Sequence, residues 1–253
     1  MPDAPPGLAL SVVIPAWNEA RRIGATLDRL RGWLATHGPD AKIGAEIGAE
    51  IGAEILVVDD GSGDRTADIA AAAGARVLRL PQNRGKGAAV RAGMLAAAGS
   101  IRLMTDADLS TPIEELPRFL DAIARGAQIA IGSRSLPASE VLRRQPRYRE
   151  QMGRQFNRVV QASLLRGFID TQCGFKCLTA AAARAVFSRA RVDGFAFDVE
   201  LLLIARRLGL TVAELPVRWI DHPDSRVGPI RDSARMLGEL ARIAWYDRRG
   251  LYR

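Results

Sequence analysis

The sequence predicts an α/β protein with a doubly wound, mostly parallel sheet flanked by helices. Short apolar runs alternate with stretches in which apolar residues recur at helical spacing. Several of the runs stop abruptly at acidic or glycine-containing turns, as buried parallel strands do. With 253 residues, 48% of them apolar, the chain can bury the core of one such domain. We therefore expect a single domain over residues 1–253.

The elements follow from the apolar pattern in chain order. An apolar run stopped by Pro15 and another stopped by Asp59 flank a stretch of helical spacing, which predicts a first β-α-β unit. The predicted strands cover residues 10–14, 55–58, 76–80, 101–105, 128–131, 174–178 and 212–217. The predicted helices cover residues 19–34, 64–73, 86–97, 112–124, 148–165, 197–208 and 230–246.

A tetrapeptide repeat interrupts the first unit. The segment Ile43-Gly44-Ala45-Glu46 is copied twice more, up to Glu54. Isoleucine at every fourth position would line one face of a helix, but each glycine costs about 1 kcal/mol relative to alanine there. We therefore interpret residues 43–54 as an expanded surface connection. Residues 1–8 are expected to be flexible and residues 230–253 to form a basic amphipathic tail.

Composition restricts the class of partner. The formal net charge of +8 favours anionic ligands, although a solvated arginine-rich surface would give the same charge. The two cysteines, Cys173 and Cys177, do not have the spacing of a disulfide framework or a zinc site. No apolar stretch reaches the length of a transmembrane helix, so we expect a cytoplasmic protein, peripheral on the cytoplasmic face of a membrane. Only the high isoelectric point would favour nucleic acid, and acidic pairs oppose it.

An acidic turn after the strand at 101–105 gives the strongest local signal. Asp106 and Asp108 can reach one ligand only if the strand has opened into a turn there. Carboxylate oxygens at such a turn suit Mg²⁺ or Mn²⁺ held jointly with diphosphate oxygens. The alternative is that these residues cap the helix that follows.

Other strand ends carry polar or aromatic groups toward the same crevice. Asp60 could accept hydrogen bonds from a nucleobase or ribose. Trp17 could stack on a base or belong to the core. Lys86, at the start of a helix, could bind an anion together with free backbone N–H groups.

The ordered set of these motifs resembles family 2 glycosyltransferases with the GT-A fold, over about residues 10–240. Later segments resemble dolichyl-phosphate glucosyltransferases and, less closely, dolichyl-phosphate mannose synthases. The segments that carry the resemblance are residues 11–19, 57–62, 83–87, 106–108, 130–134, 146–149, 170–176 and 197–202.

The resemblance implies a role for each site residue. The nucleotide sugar would be held by Pro15, Trp17, Glu19, Asp60, Lys86, Asp106, Ala107 and Asp108. The metal would be held by Asp106 and Asp108, and the acceptor phosphate by Arg134, Arg149, Ser225 and Arg226. Trp17 stands where the family usually has Tyr, and Ser110 stands where the mannose synthases have a metal-binding Gln, which makes GDP-mannose the weaker donor hypothesis.

The reaction implied is inverting transfer of a hexose, foremost glucose from UDP-glucose, to a polyprenyl or dolichyl phosphate. Asp108, Asp198 and Arg134 are the candidate catalytic residues. Asp198 would contact a sugar hydroxyl or act as an auxiliary base, and stabilisation of a helix N-terminus is the alternative. Other readings are a GDP-mannose-dependent enzyme and a soluble enzyme with a small acceptor.

Two basic amphipathic helices, predicted from about residue 148 and from residue 230, are expected to bind the membrane interface. Each helix carries arginines together with apolar residues, which are Met152, Phe156, Val159, Val160, Leu164 and Leu165 in the first and Met236, Leu237, Leu240, Ile243 and Trp245 in the second. The alternative is that these helices pack on the sheet or on a second copy of the chain in a homodimer.

Overall fold

A computed structural model of the chain describes residues 8–37, 52–143, 147–221 and 229–253. The strands are β1 (Leu8–Ala16), β2 (Gly52–Asp59), β3 (Arg76–Arg79), β4 (Ile101–Met104), β5 (Ile129–Ser133), β6 (Glu140–Arg143), β7 (Lys176–Thr179), β8 (Val212–Pro216) and β9 (Arg218–Ile220). The helices are α1 (Ile23–His37), α2 (Thr66–Ala72), α3 (Lys86–Ala96), α4 (Leu116–Ala124, after a 3₁₀ turn at Ile113–Glu115), α5 (Arg147–Ser163), α6 (Ala180–Phe187), α7 (Phe197–Arg207) and α8 (Pro229–Arg248).

The main sheet has the strand order β3-β2-β1-β4-β7-β5-β8. All pairs in it are parallel except those of β7, which runs antiparallel to both β4 and β5. The α/β class and the mostly parallel sheet are therefore confirmed. Because β7 is reversed, it begins at the edge where its parallel neighbours end, so the residues before and at its start lie at the carboxyl edge of the sheet.

Two apolar layers cover the faces of the sheet. In β2, Leu56 and Val58 join one buried cluster while Ile55 and Val57 join the other, because alternate side chains of a strand point to opposite faces. Helices α1, α2 and α4 pack on the second face, and α3, α6 and α7 pack on the first.

The two basic amphipathic helices also contribute to this core. Phe156 and Val160 of α5, and Leu240 and Ile243 of α8, are buried in the cluster that covers the first face. The expectation that these apolar residues enter a membrane is therefore wrong, because the protein interior already covers them. Residues on other sides of the same helices are exposed, among them Val159, Leu237 and Trp245.

The surface connection predicted over residues 43–54 ends earlier in the structure, because the strand β2 begins at Gly52. Gly52, Ala53 and Glu54 belong to β2, so the last unit of the repeat is mostly strand; residues 38–51 lie outside the described part of the chain. Glu54 accepts hydrogen bonds from the Ser11 hydroxyl and the Ala98 N–H, and it forms an ion pair with Arg76 at 3.2 Å. Burial alone would raise the pKa of Glu54, but these partners bring it below its ordinary value.

Candidate active site

The loops after β1 and β2 are joined at the carboxyl edge of the sheet. The Asn18 N–H donates to the Ser62 hydroxyl, and Asn18 Oδ1 accepts from the Gly63 N–H, both at 2.8 Å. The Glu19 N–H donates to Thr66 Oγ1 at 2.7 Å. Asn18 adopts a φ of 54°, a conformation that asparagine tolerates better than most residues. Trp17, 44% exposed, is held beside this junction, while Pro15 is the second-last residue of β1.

Asp60 anchors the loop that leads into α3. Its two carboxylate oxygens accept the N–H groups of Arg84 at 2.9 Å and Gly85 at 2.8 Å. Burial raises the pKa of Asp60, and these two N–H donors act against the rise. The resemblance assigns Asp60 to nucleoside binding, but in the structure the Asp60 carboxylate binds backbone N–H groups of the protein itself.

Lys86 and Asp106 form the centre of the site. The Lys86 Nζ atom lies 2.6 Å from Asp106 Oδ1. Burial would lower the pKa of Lys86, but Asp106 and Asp198 together bring it above its ordinary value. Gly174 lies beside them, and a Cβ atom at this position would displace the Asp106 carboxylate.

The turn after β4 opens as the acidic pair predicts. Leu109 has a φ of 48°, and Asp108 Oδ1 accepts the Ser110 N–H at 2.9 Å. Ala107 is buried, and its carbonyl accepts the Thr26 hydroxyl at 2.6 Å. Asp106 contacts Lys86 directly, and the charge of Asp108 also helps to raise the pKa of Lys86.

This donor set fits a divalent metal shared with a substrate. Among the described residues, no three His, Cys, Asp or Glu side chains cluster as a complete metal site. One or two carboxylates completed by phosphate oxygens are, however, a usual arrangement for Mg²⁺. Asp106 and Asp108 would thus hold the metal only together with a diphosphate.

Asp198 lies in the same crevice but is paired with a residue that the sequence analysis did not single out. Asp198, in the first turn of α7, is 4% exposed and in direct contact with the ammonium group of Lys176, which has no exposed surface. Lys176 Nζ also donates to the Cys173 carbonyl at 2.6 Å. Burial raises the pKa of Asp198, and the Lys176 and Lys86 charges act against the rise.

Arg134 is likewise already paired. Its Nε and one terminal nitrogen donate to the two oxygens of Asp170 at 2.6 and 2.9 Å, a bidentate arrangement. Burial would raise the pKa of Asp170, but Arg134 lowers it to about 2. The Arg134 guanidinium also lies 5.6 Å from the centre of the Trp219 ring. An acceptor phosphate at Arg134 would therefore have to share the guanidinium with Asp170.

The remaining predicted acceptor residues are not described. Ser225 and Arg226 lie outside the described residues, and of Arg149 only the helical backbone of α5 is described. The residues that sequence reasoning missed are Lys176 and Asp170. A lysine inside the apolar stretch from Phe175 to Leu178 was the available signal for a buried partner.

An open α/β sheet with two carboxylates and a lysine at the carboxyl ends of its strands is typical of a nucleotide-binding protein. The family model described as glycosyl transferase family 2 matches residues 11–189. The chain belongs to this family and is a glycosyltransferase.

Similar proteins extend the match beyond residue 189. The dolichyl-phosphate beta-glucosyltransferase of Dictyostelium discoideum is 34% identical over 257 residues, covering 96% of this chain and 76% of the relative. The protein of the same name from Drosophila melanogaster is 36% identical over 237 residues, covering 88% and 71%. The resemblance to this group is confirmed.

Solved structures show the same fold. Glucosyl-3-phosphoglycerate synthase of Mycobacterium tuberculosis, crystallised with Mn²⁺ and UDP-glucose, superposes with a TM-score of 0.68 at 22% identity. The match covers 94% of this chain and 79% of that one. The fold is therefore GT-A.

Proposed function

We propose that the protein transfers glucose from UDP-glucose to dolichyl phosphate or a related polyprenyl phosphate, with inversion at the anomeric carbon. The observation that carries the donor half is the contact of Lys86 with Asp106 next to the Asp108 turn, at the carboxyl edge of the sheet where Trp17 is exposed after β1. The names of the relatives at 34 and 36% identity support the sugar and the lipid.

The chemistry needs negative charge to be stabilised on the departing diphosphate. A Mg²⁺ or Mn²⁺ ion held by Asp106 and Asp108 would supply that as a Lewis acid when bound. Lys86 is the protein cation already in the crevice, and a diphosphate arriving there offers it a new anionic partner. Trp17 would stack on the nucleobase, and Glu19 would help to hold the loop that carries Trp17.

A phosphate acceptor does not need a strong general base, so Asp198 need not act as one. A phosphate monoester carries about −1.5 to −2 charges at pH 7, so its oxygen is already nucleophilic. Asp198 is buried and ion-paired, which suits contact with a sugar hydroxyl better than proton abstraction. Arg134 and Arg149, with Ser225 and Arg226, would position the phosphate.

The membrane contact is proposed to use the outer side of α8. Leu237 and Trp245 are about half exposed there, and the Arg249 guanidinium lies 5.2 Å from the Trp245 ring centre. Exposed apolar side chains on a helix, with a cationic residue directly after its end, suit an anionic membrane surface. No helix in the described part of the chain combines the length and hydropathy that a bilayer crossing requires.

The test is a transfer assay with the purified protein, Mg²⁺ or Mn²⁺, UDP-glucose or GDP-mannose, and either dolichyl phosphate in anionic liposomes or a soluble phosphate monoester. We expect glucosylated lipid of β configuration from UDP-glucose. Turnover only with the soluble acceptor, or only with GDP-mannose, would overturn the corresponding half of the proposal. Cosedimentation with the liposomes, lost in the Leu237→Ser/Trp245→Ser variant but not in the matched surface variant Leu142→Ser, tests the membrane face.

A further inference from the structure

Lys176 is buried in the main sheet next to the crevice. It is the first residue of β7, paired with Met104 of β4 on one side and with Ile131 of β5 on the other. It has no exposed surface, although lysine is almost never fully buried unless it is paired. Its partners are the Asp198 carboxylate and the Cys173 carbonyl.

A gain in folding stability alone does not explain why this buried ion pair is present. Removing two charges from water costs several kcal/mol per ion, and well-packed apolar residues often do as well or better. The pair lies where the reversed β7 begins, at the carboxyl edge that carries Asp106 and Lys86. The charge is therefore retained at the functional edge of the sheet rather than in its middle.

Other charged residues lie near the Lys176–Asp198 pair. Asp198 has a second cation nearby, because Lys86 Nζ lies 6.0 Å from the ring centre of the preceding residue, Phe197, and the Lys86 charge also acts on Asp198. Lys86 in turn holds Asp106 at 2.6 Å. Without Lys176, the buried Asp198 would either take up a proton or turn toward Lys86 and compete with Asp106 for it.

We propose that Lys176 is a positioning residue that keeps Asp198 ionised and fixed toward the transferred sugar, and so leaves Lys86 to Asp106 and the diphosphate. The inference rests on the proposed function, because the sugar contact of Asp198 is assigned there. Lys176 itself does not touch the reacting atoms. The Cys173 carbonyl fixes the ammonium group, and the ammonium group fixes the carboxylate.

A double-mutant cycle tests the proposal. Lys176→Met removes the charge and keeps an unbranched side chain, and Asp198→Asn removes the partner charge. We expect each change to lower kcat roughly ten- to a hundredfold. Affinity for UDP, which has no sugar, should stay within about twofold by calorimetry. The double variant should be no slower than the slower single variant, because both changes interrupt one interaction.

A stability control separates positioning from folding. Cys177 is the next residue of β7 and is equally buried, with its side chain in the other apolar cluster. Cys177→Ser should lower the midpoint of thermal unfolding while leaving kcat per folded enzyme unchanged. If Lys176→Met is slower only in proportion to its unfolded fraction, the positioning role is wrong.

Two failures are distinguishable. If the wild-type enzyme transfers glucose but the two kcat losses multiply in the double variant, the positioning role fails and the proposed function stands. If the wild-type enzyme does not use UDP-glucose with dolichyl phosphate, the proposed function fails. The cycle is then run with whichever nucleotide sugar and acceptor of a panel give turnover, and multiplied losses there would still overturn the role of Lys176.

Discussion

The Tyr252 hydroxyl donates a 2.6 Å hydrogen bond to Glu200 Oε1, joining the residues that follow α8 to the first turn of α7. Glu200 also accepts the backbone N–H groups of Arg191 and Val192, each at 2.9 Å. The neighbouring Asp193 carbonyl accepts the Ala88 N–H at 3.2 Å, within the turn of α3 that carries Lys86. A buried carboxylate therefore connects the C-terminal segment to the loop that supports the crevice.

This connection predicts the effect of Tyr252→Phe. The change removes one hydrogen bond to a buried acidic group and keeps the ring, so the free energy of unfolding should fall by about 1.5 to 3 kcal/mol. Urea unfolding followed by circular dichroism measures it. Tyr246→Phe is the matched control, because the Tyr246 ring packs against Tyr252 but the Glu200 bond is kept. Equal losses in the two variants would contradict the prediction.

Asp108→Asn should abolish transfer with little loss of stability. The amide oxygen of asparagine can still accept the Ser110 N–H that Asp108 Oδ1 accepts, so the turn is preserved. The charge needed for a divalent metal is lost. Turnover in excess Mn²⁺ and the thermal midpoint are measured together. The control is Asp121→Asn, an exposed change on α4 that should leave both unaltered; near-normal turnover of Asp108→Asn would remove Asp108 from the metal site.

The Arg134–Asp170 pair predicts a pH dependence of stability. The pKa of Asp170 is about 2 in the folded protein and about 3.9 in an unfolded chain, so its contribution is present above about pH 4 and is lost as pH falls toward 2. The full contribution is about 2.5 kcal/mol. Urea unfolding of wild type and Asp170→Asn should differ most near pH 6, and the difference should shrink below pH 4. A difference that stays constant between pH 6 and pH 3 would show that Asp170 does not titrate in this way.

The repeat gives a contrast between a deletion and a point change. Deleting residues 47–54 leaves Ile43-Gly44-Ala45-Glu46 directly before Ile55, so Glu46 takes the place of Glu54 in β2. We expect activity within a few fold of wild type, because closure entropy changes only slowly with loop length. Glu54→Ala instead leaves the Ser11 hydroxyl and the Ala98 N–H without their acceptor and should destabilise the protein by about 1 to 3 kcal/mol. Thermal unfolding of both variants decides the point, and a deletion as damaging as Glu54→Ala would show that the first two units serve the fold.

The sequence predicts the parallel strands well because each is an apolar run with a turn signal at its end. The direction of β7 was not predictable in that way, because a short apolar run reads the same whichever way the strand points. The strands β6 and β9 were missed because they are only four and three residues long, and α6 was missed because its alanines give a weak periodicity.

The site was predicted where the motif lies on one strand end and missed where it depends on contacts across the sheet. Asp106 and Asp108 follow β4 directly and were found. Lys176 is 22 residues from Asp198 along the chain, and Arg134 is 36 residues from Asp170. These pairs therefore form only after the strands are assembled. Burial of Phe156 and Ile243 was likewise a tertiary outcome, because an amphipathic helix shows which side is apolar but not what covers it.

The central position of β7 also governs the order in which the sheet can be completed during synthesis. The strands β3, β2, β1 and β4 are translated within the first 104 residues, and β5 follows by residue 133. Neither β4 nor β5 has its shared neighbour until residues 176–179 leave the ribosome. Until then two apolar strand edges remain open to pairing with other chains. We therefore expect the nascent protein to be most exposed to aggregation between the emergence of β5 and the emergence of β7 from the ribosome.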